Sequence, residues 1–237
     1  MTAGQEGRHV SALSAGILKT LPLVFGYVPI GLTFGVLAQK AGLSAFNALM
    51  MSLLVYAGSS QLVAAGLFAA GAPAASIILT TFVVNLRHLL LSAAIAPFLE
   101  SWRRRELAAF AYQLTDETFA LHAARFQSGV PSKTEVFAIN TTAQMSWLMG
   151  TGLGVVLGQI ITDVEAFGLD YVLPALFIAL IAVQIEETKQ IGIALCTGAL
   201  SLTLRMLGLG QWHVIIATVA GASLGVVTKL WTSEKSS

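Results

Sequence analysis

The chain has 237 residues, 56% of them hydrophobic and only 11% charged, with a net charge of +1 and a mean hydropathy of +0.78. About a quarter of the residues in an average soluble domain are charged, so this composition points to an integral membrane protein, and its near-neutral balance offers nothing to nucleic acid. The single cysteine, Cys196, rules out an intrachain disulfide and supplies no metal-ligand spacing.

A helix that crosses the hydrocarbon needs about 20 predominantly apolar residues. In chain order, a polar tail over residues 1–15 precedes a first span at 20–39 that contains Pro22 and Pro29. It lacks the short apolar core and small-residue cleavage site of a signal peptide, so it reads as a retained segment. Further spans are predicted at 45–70, 74–99, 134–160, 171–186, 190–208 and 212–230, followed by a polar tail at 232–237. Residues 106–126 are a weaker eighth candidate, since Asp116, Glu117, His122 and Arg125 fall inside them. The connections are too short for a soluble domain. The sequence therefore predicts one membrane domain over 1–237: an all-α, polytopic helix bundle of about seven spans, with interrupted or re-entrant segments.

Positive residues concentrate in cytoplasmic connections, and the strongest such signal is SWRRRE at 101–106. With that connection inside, a non-crossing 106–126 also places Lys229 and Lys235 inside and the acidic loop TDVEAFGLD (162–170) outside. The N-terminal side stays open, because Arg8 and Lys19 lie inside only if 45–70 is re-entrant. Residues 31–61 and 150–184 share a Gly-rich helix ending in Gln, a polar connection and a second apolar helix, a candidate internal repeat of the kind transporters use. Gly31/Gly35, Gly150/Gly154/Gly158 and Gly221/Gly225 recur at the spacing that lets helix backbones approach closely.

Polar residues within these apolar runs are the candidate functional groups. Arg87 of NLRHLLL (85–91) lies almost midway along the run from Ala74 to Leu99, where an arginine costs roughly 2.5–3.5 kcal/mol on insertion scales and cannot snorkel to a surface. Asn85 and His88 lie about 60° apart on a helical wheel while Arg87 points away from both, so either several neighbours receive them or the segment unwinds around a cavity. YAGSSQ (56–61) can end one half-helix and start another, with Gly58 tolerating non-helical angles and Ser59 or Ser60 capping N–H groups suited to a carboxylate. The alternative is a continuous helix whose serines bond back to the preceding turn. LTDETFAL (114–121) has Thr115 as a candidate N-cap and Asp116 and Glu117 in the first turn, either as a solvated acidic face or as partners of Arg87. Asn140, Thr141, Thr142 and Gln144 form a further polar cluster, and EETK (186–189) marks a solvated helix end.

No GxxxxGK[ST], HExxH or GxSxG occurs, and His9, His88, His122 and His213 are scattered, so neither ATP-driven transport, a metal site nor enzyme catalysis is supported and no cofactor is expected.

YAGSSQ, NLRHLL and LTDETFAL, in that order and with similar separations, resemble the AzlC family, and the similarity runs from about residue 20 to 230. The resemblance implies the large subunit of a two-component exporter of branched-chain amino acids (Leu, Ile and Val, with Met as a further candidate). It also implies coupling to the proton gradient, a small multi-spanning AzlD-type partner and a multi-pass place in the cell membrane. The family's polar positions map here onto Ser59, Ser60, Gln61, Asn85, Arg87, His88, Asp116 and Glu117. The Leu91-Ser92 pair that follows NLRHLL departs from the family's aromatic or Met followed by a small residue, and bears on substrate choice. The candidate substrate-binding set is Tyr56, Gly58, Ser59, Ser60, Gln61, Asn85, Arg87, Asp116, Glu117, Asn140 and Gln144, with His88, Asp116 and Glu117 as proton-coupling candidates. A passive pore for small polar solutes and a scaffold subunit are the competing classes.

Overall fold

The computed structural model describes residues 3–160, 188–209 and 212–234, and, between 161 and 187, only 166, 168, 171, 175, 178, 182 and 185. The predicted span at 171–186, the acidic loop and the second helix of the candidate repeat therefore lie outside the described residues except at those positions, and the first two residues of EETK lie outside them altogether.

All regular structure among the described residues is helical. Helix α1 covers Ala3–Lys40, α2 Ala45–Leu54, α3 Gly58–Ala69, α4 Ala74–Asn85 and α5 Arg87–Ile95, which passes into a 3-10 turn at Ala96–Leu99. Helix α6 covers Arg104–Tyr112, α7 Asp116–Phe126, α8 Lys133–Leu157, α9 Thr188–Met206 and α10 Trp212–Glu234. The helix begins at Ala3, so the expected polar tail over 1–15 is instead part of α1. Polarity alone does not stop a helix, and no proline occurs before Pro22.

Among the described residues, two stretches, Ser11–Lys40 and Ala74–Leu99, are long and apolar enough to cross a membrane by themselves. The expected span at 45–70 is a pair of short helices, and residues 106–126 fall largely in another, α6 and α7; none of the four reaches the length of a crossing. Phe25, Ile78, Phe82, Leu89 and Leu90 are each more than 60% exposed, an outward apolar surface that matches lipid better than water.

The packing centre is the pair α1 and α8, which run parallel. Gly31 faces Gly150 and Gly35 faces Gly154, so the glycines expected to mediate close approach do so in step along both helices. A Cβ added at Gly31 would lie 2.8 Å from the Trp147 carbonyl oxygen, and one at Gly154 would meet the Leu32 backbone. Gly154→Leu is therefore expected to force α1 and α8 apart and lower the yield of folded, monodisperse protein in detergent about tenfold, as an overpacking penalty of ~1–3 kcal/mol implies; size-exclusion profiles would measure it.

Lys19, Arg125 and Lys133 gather at one end. Lys19 Nζ is 2.7 Å from Glu135 Oε1, which also pairs with Arg125. Lys133 Nζ is 2.5 Å from Glu106 Oε2 and sits 5.4 Å above the Trp102 ring. That hydrogen bond, with one from the Arg103 backbone, holds the Glu106 carboxyl below its usual range. Lys19 thus lies at the same end as SWRRRE.

Candidate functional site

The break between α2 and α3 falls within YAGSSQ, but its chemistry differs from the expected one. Ala57 is the N-cap and makes no side-chain cap bond; Ser60 Oγ donates to the Ala57 carbonyl at 2.9 Å, and Ser59 Oγ accepts from Arg87. Neither serine caps the helix. The residue in the left-handed region is Tyr56, at φ 44°, not Gly58, and such a conformation in a bulky residue costs about 1–3 kcal/mol. Gly58 serves close approach instead: a Cβ there would lie 2.7 Å from Cη2 of Trp147.

The second motif stays helical. Leu86 separates α4 from α5 but keeps right-handed angles, φ −55° and ψ −24°, so the segment does not unwind and neighbouring helices receive its polar groups. Arg87 Nη1 is 2.7 Å from Asp116 Oδ2, and Nη2 donates to Ser59 Oγ at 2.6 Å. One guanidinium fork thereby ties α3, α5 and α7 together.

The third motif forms the N-terminus of α7. Thr115 is the N-cap, and its Oγ1 accepts from the Thr118 N–H at 3.3 Å. Asp116 and Glu117 occupy the first turn, where the positive end of the helix favours carboxylates. Tyr27 of α1 reaches across: its hydroxyl donates to Glu117 Oε2 at 2.8 Å and lies 2.5 Å from Thr115 Oγ1.

These groups enclose a cavity. Its polar wall holds Ser59, Arg87, His88, Thr115, Asp116 and Glu117, and its remaining wall Tyr27, Ile30, Tyr56, Ala57, Gly58 and Trp147. The N-termini of α3 and α7 both open onto it, which adds a field favourable to an anion. Its free volume is about 30 Å³, room for one or two water molecules. The Tyr56 hydroxyl, Arg87 Nε and His88 Nε2 are buried and have no hydrogen-bond partner among the described residues, so the wall keeps unspent polar capacity.

Of the predicted substrate-binding set, the cavity brings together Tyr56, Gly58, Ser59, Arg87, Asp116 and Glu117, with His88 beside them. Ser60, Gln61, Asn85, Asn140 and Gln144 do not line it. Gln61 instead donates to Ser52 Oγ at 2.9 Å and accepts from Trp147 Nε1 at 3.1 Å. Asn140 Oδ1 pairs with His122 Nε2 at 2.7 Å, and Gln144 bonds Gln113 and Tyr112. Asn85 Oδ1 is buried without a hydrogen-bond partner among the described residues, outside the cavity wall. Polar side chains in apolar helices satisfy one another first, and residue type alone does not separate that use from ligand binding. Gln61→Leu is accordingly expected to lower the melting temperature by several degrees, because it strips a partner from Trp147 and from Ser52, at roughly 1–3 kcal/mol for a buried group left unsatisfied; a thermal-shift series would show it.

The sequence reading missed Tyr27, Ile30, Ala57, Thr115 (taken only as a cap) and Trp147 as wall residues. Tyr27 and Trp147 carried one available signal, a polar handle on an aromatic ring inside an apolar helix, which needs a partner when buried.

Comparison with known proteins follows the same outline. A family model described as AzlC protein matches residues 22–161. An uncharacterized membrane protein of Archaeoglobus fulgidus is 31% identical, covering 88% of this chain and 92% of its own. The inner membrane protein YgaZ of Escherichia coli is 28% identical, covering 91% and 88%. A branched-chain amino acid transport protein of Bacillus subtilis, AzlC, is 26% identical, covering 93% and 85%. No solved structure matches the chain.

Proposed function

The chain belongs to the AzlC family, and on that premise we propose that it is a multi-pass cell-membrane protein that exports branched-chain amino acids against their gradient, driven by protons and acting with a small AzlD-type subunit. The observation that carries this reading is the charge arrangement of the cavity. Arg87 is paired with Asp116, a second carboxylate, Glu117, stands beside them, and Ile30, Tyr27 and Trp147 form the apolar side. A zwitterion with an aliphatic side chain complements all three features.

The chemistry follows from exchange of partners. The substrate carboxylate replaces Asp116 on the Arg87 fork, with the N–H groups at the start of α3 behind it. Asp116, released, and Glu117 take the ammonium group. The aliphatic side chain lies against Ile30 and the aromatic rings. Because the incoming zwitterion carries no net charge, this exchange alone moves no charge. Coupling therefore falls to a group whose protonation changes over the cycle, with Glu117, Asp116 and His88 at hand. With room for one or two water molecules, the cavity takes up the substrate through this exchange of partners, which ties loading to a rearrangement of α3, α5 and α7 and suits a carrier with alternating access.

The test is efflux of isoleucine from loaded cells and from proteoliposomes holding the chain with and without a small AzlD-type subunit. The expected result is uphill efflux that collapses with an uncoupler. Downhill flux insensitive to the uncoupler would identify a pore, and absence of isoleucine flux in every preparation would remove the substrate assignment.

A further inference from the structure

Outside the cavity, the polar group with the least settled place is His122. It is fully buried on α7, between the rings of Phe110 and Phe126 at 5.3 and 5.2 Å. One ring nitrogen, Nε2, meets Asn140 Oδ1 at 2.7 Å. The other, Nδ1, is buried with no hydrogen-bond partner among the described residues, as is Asn140 Nδ2. A histidine kept only for packing would leave neither its own nitrogen nor its partner's amide unspent.

Its position gives this a direction. A line of polar atoms leaves the cavity at Glu117: Glu117 Oε2 to the Tyr27 hydroxyl at 2.8 Å, Tyr27 to Thr115 Oγ1 at 2.5 Å, and Thr115 Oγ1 to Thr118 Oγ1 at 3.1 Å. Thr118 is itself fully buried. His122 is one helical turn further along the same face, a step of about 6 Å between Cβ atoms, which is the reach of a single bridging water and the one link of the route that needs one. Beyond it lies the charged end of α7, where Arg125 and Lys19 share Glu135. Arg125, from its own helix, and Glu135, from α8, are the charged groups that act on His122. The contact from α6 is the Phe110 ring, and α5, which also packs on α7, has its ionisable side chains, Arg87 and His88, at the cavity end.

We propose that His122 is the relay through which a proton passes between Glu117 in the cavity and the basic end of the protein. This rests on the proton-driven reading above and adds a residue and a route to it. Each hydroxyl accepts one proton as it gives up its own, so Glu117 loses one proton and His122 Nδ1 gains one. His122 then releases it towards Arg125 and Glu135 and returns to the neutral form, its bond to Asn140 intact. His122 acts through the cavity groups and does not touch substrate.

The experiment uses the reconstituted preparation of the efflux assay and compares isoleucine accumulation driven by an imposed pH gradient with isoleucine–isoleucine counterflow at equal pH. His122→Gln keeps an amide able to bond Asn140 and cannot titrate. It is expected to cut driven accumulation by at least about tenfold and flatten its pH profile, while counterflow stays within about twofold of the parent. His122→Asn, one methylene shorter and equally unable to titrate, is expected to give the same split and decides the matter if the glutamine variant does not fold. Undiminished driven accumulation in the variants overturns the relay, and so does equal loss of both activities, which would make the residue structural. A parent protein that performs counterflow but no driven accumulation refutes the proton-driven reading itself, a different failure from either.

Discussion

Arg87→Ala and Asp116→Asn are each expected to abolish efflux of intracellular isoleucine while the protein still inserts and folds. Both side chains are about a quarter exposed, so the pair is neither a dry core ion pair nor a surface one. Removing one member leaves the other without its counter-charge, at an order of 2–5 kcal/mol for a hydrogen-bonded pair in a binding site. If substrate binding uses the same contacts, that corresponds to a loss of about thirtyfold to a few thousandfold. Arg87→Lys keeps the charge but not the fork that holds Asp116 and Ser59 together, so transport is expected to fall about tenfold rather than vanish.

An alternative role for the pair is to order the bundle. The double variant Arg87→Met with Asp116→Leu separates the two, because a hydrophobic replacement of a whole ion pair is often neutral or stabilising. Recovery of efflux in the double variant would reduce the pair to a structural tie. A well-folded but inactive double variant is the expected result, measured by efflux beside a detergent melting curve.

What the sequence could show depended on how local each feature is. The N-cap at Thr115 was legible because capping is decided within four residues, and Thr115 indeed bonds the Thr118 N–H. The Arg87–Asp116 contact was legible only as one of two alternatives, beside a solvated acidic face, and without a choice between Asp116 and Glu117: a chain with few charges inside apolar runs favours pairing but does not name the partner. The break at YAGSSQ was legible, its mechanism was not. Nothing in a sequence marks Tyr56 as the residue at positive φ, or says that Gly58 exists to admit the Trp147 ring rather than to turn the chain. Gln61, Asn140 and Gln144 looked like site residues because they are polar in apolar surroundings, and they turned out to serve buried networks. Tyr27, Ile30 and Trp147 enter the wall only because α1 and α8 pack in parallel through their glycines, a relation between segments more than a hundred residues apart that no local pattern encodes.

Gly58→Val is expected to inactivate the protein, and Gly58→Ala to cost about tenfold in efflux, because the wall of the cavity at this point has no slack. The first added carbon would lie 2.7 Å from Cη2 and 3.2 Å from Cζ3 of Trp147, well inside the ~3.5–4.0 Å of normal carbon contact. The indole cannot easily retreat. Its Nε1–H is bonded to Gln61, and its ring meets Tyr27 edge-on at 5.7 Å and stacks on Phe34 at 6.5 Å. The strain therefore goes either into the start of α3, carrying Ser59 away from Arg87, or into the Trp147–Gln61 bond. Trp147→Phe removes the outer part of the ring that the new methyl meets, at the expense of that bond. Combined with Gly58→Ala it is expected to restore part of the lost efflux even though Trp147→Phe alone lowers it. Such sign reversal between the single and double variants reports direct coupling between the two residues. If Gly58→Ala transports at the parental rate, the contact with Trp147 lies outside the path that the substrate takes, and the boundary of the site moves to the Arg87 side of the cavity.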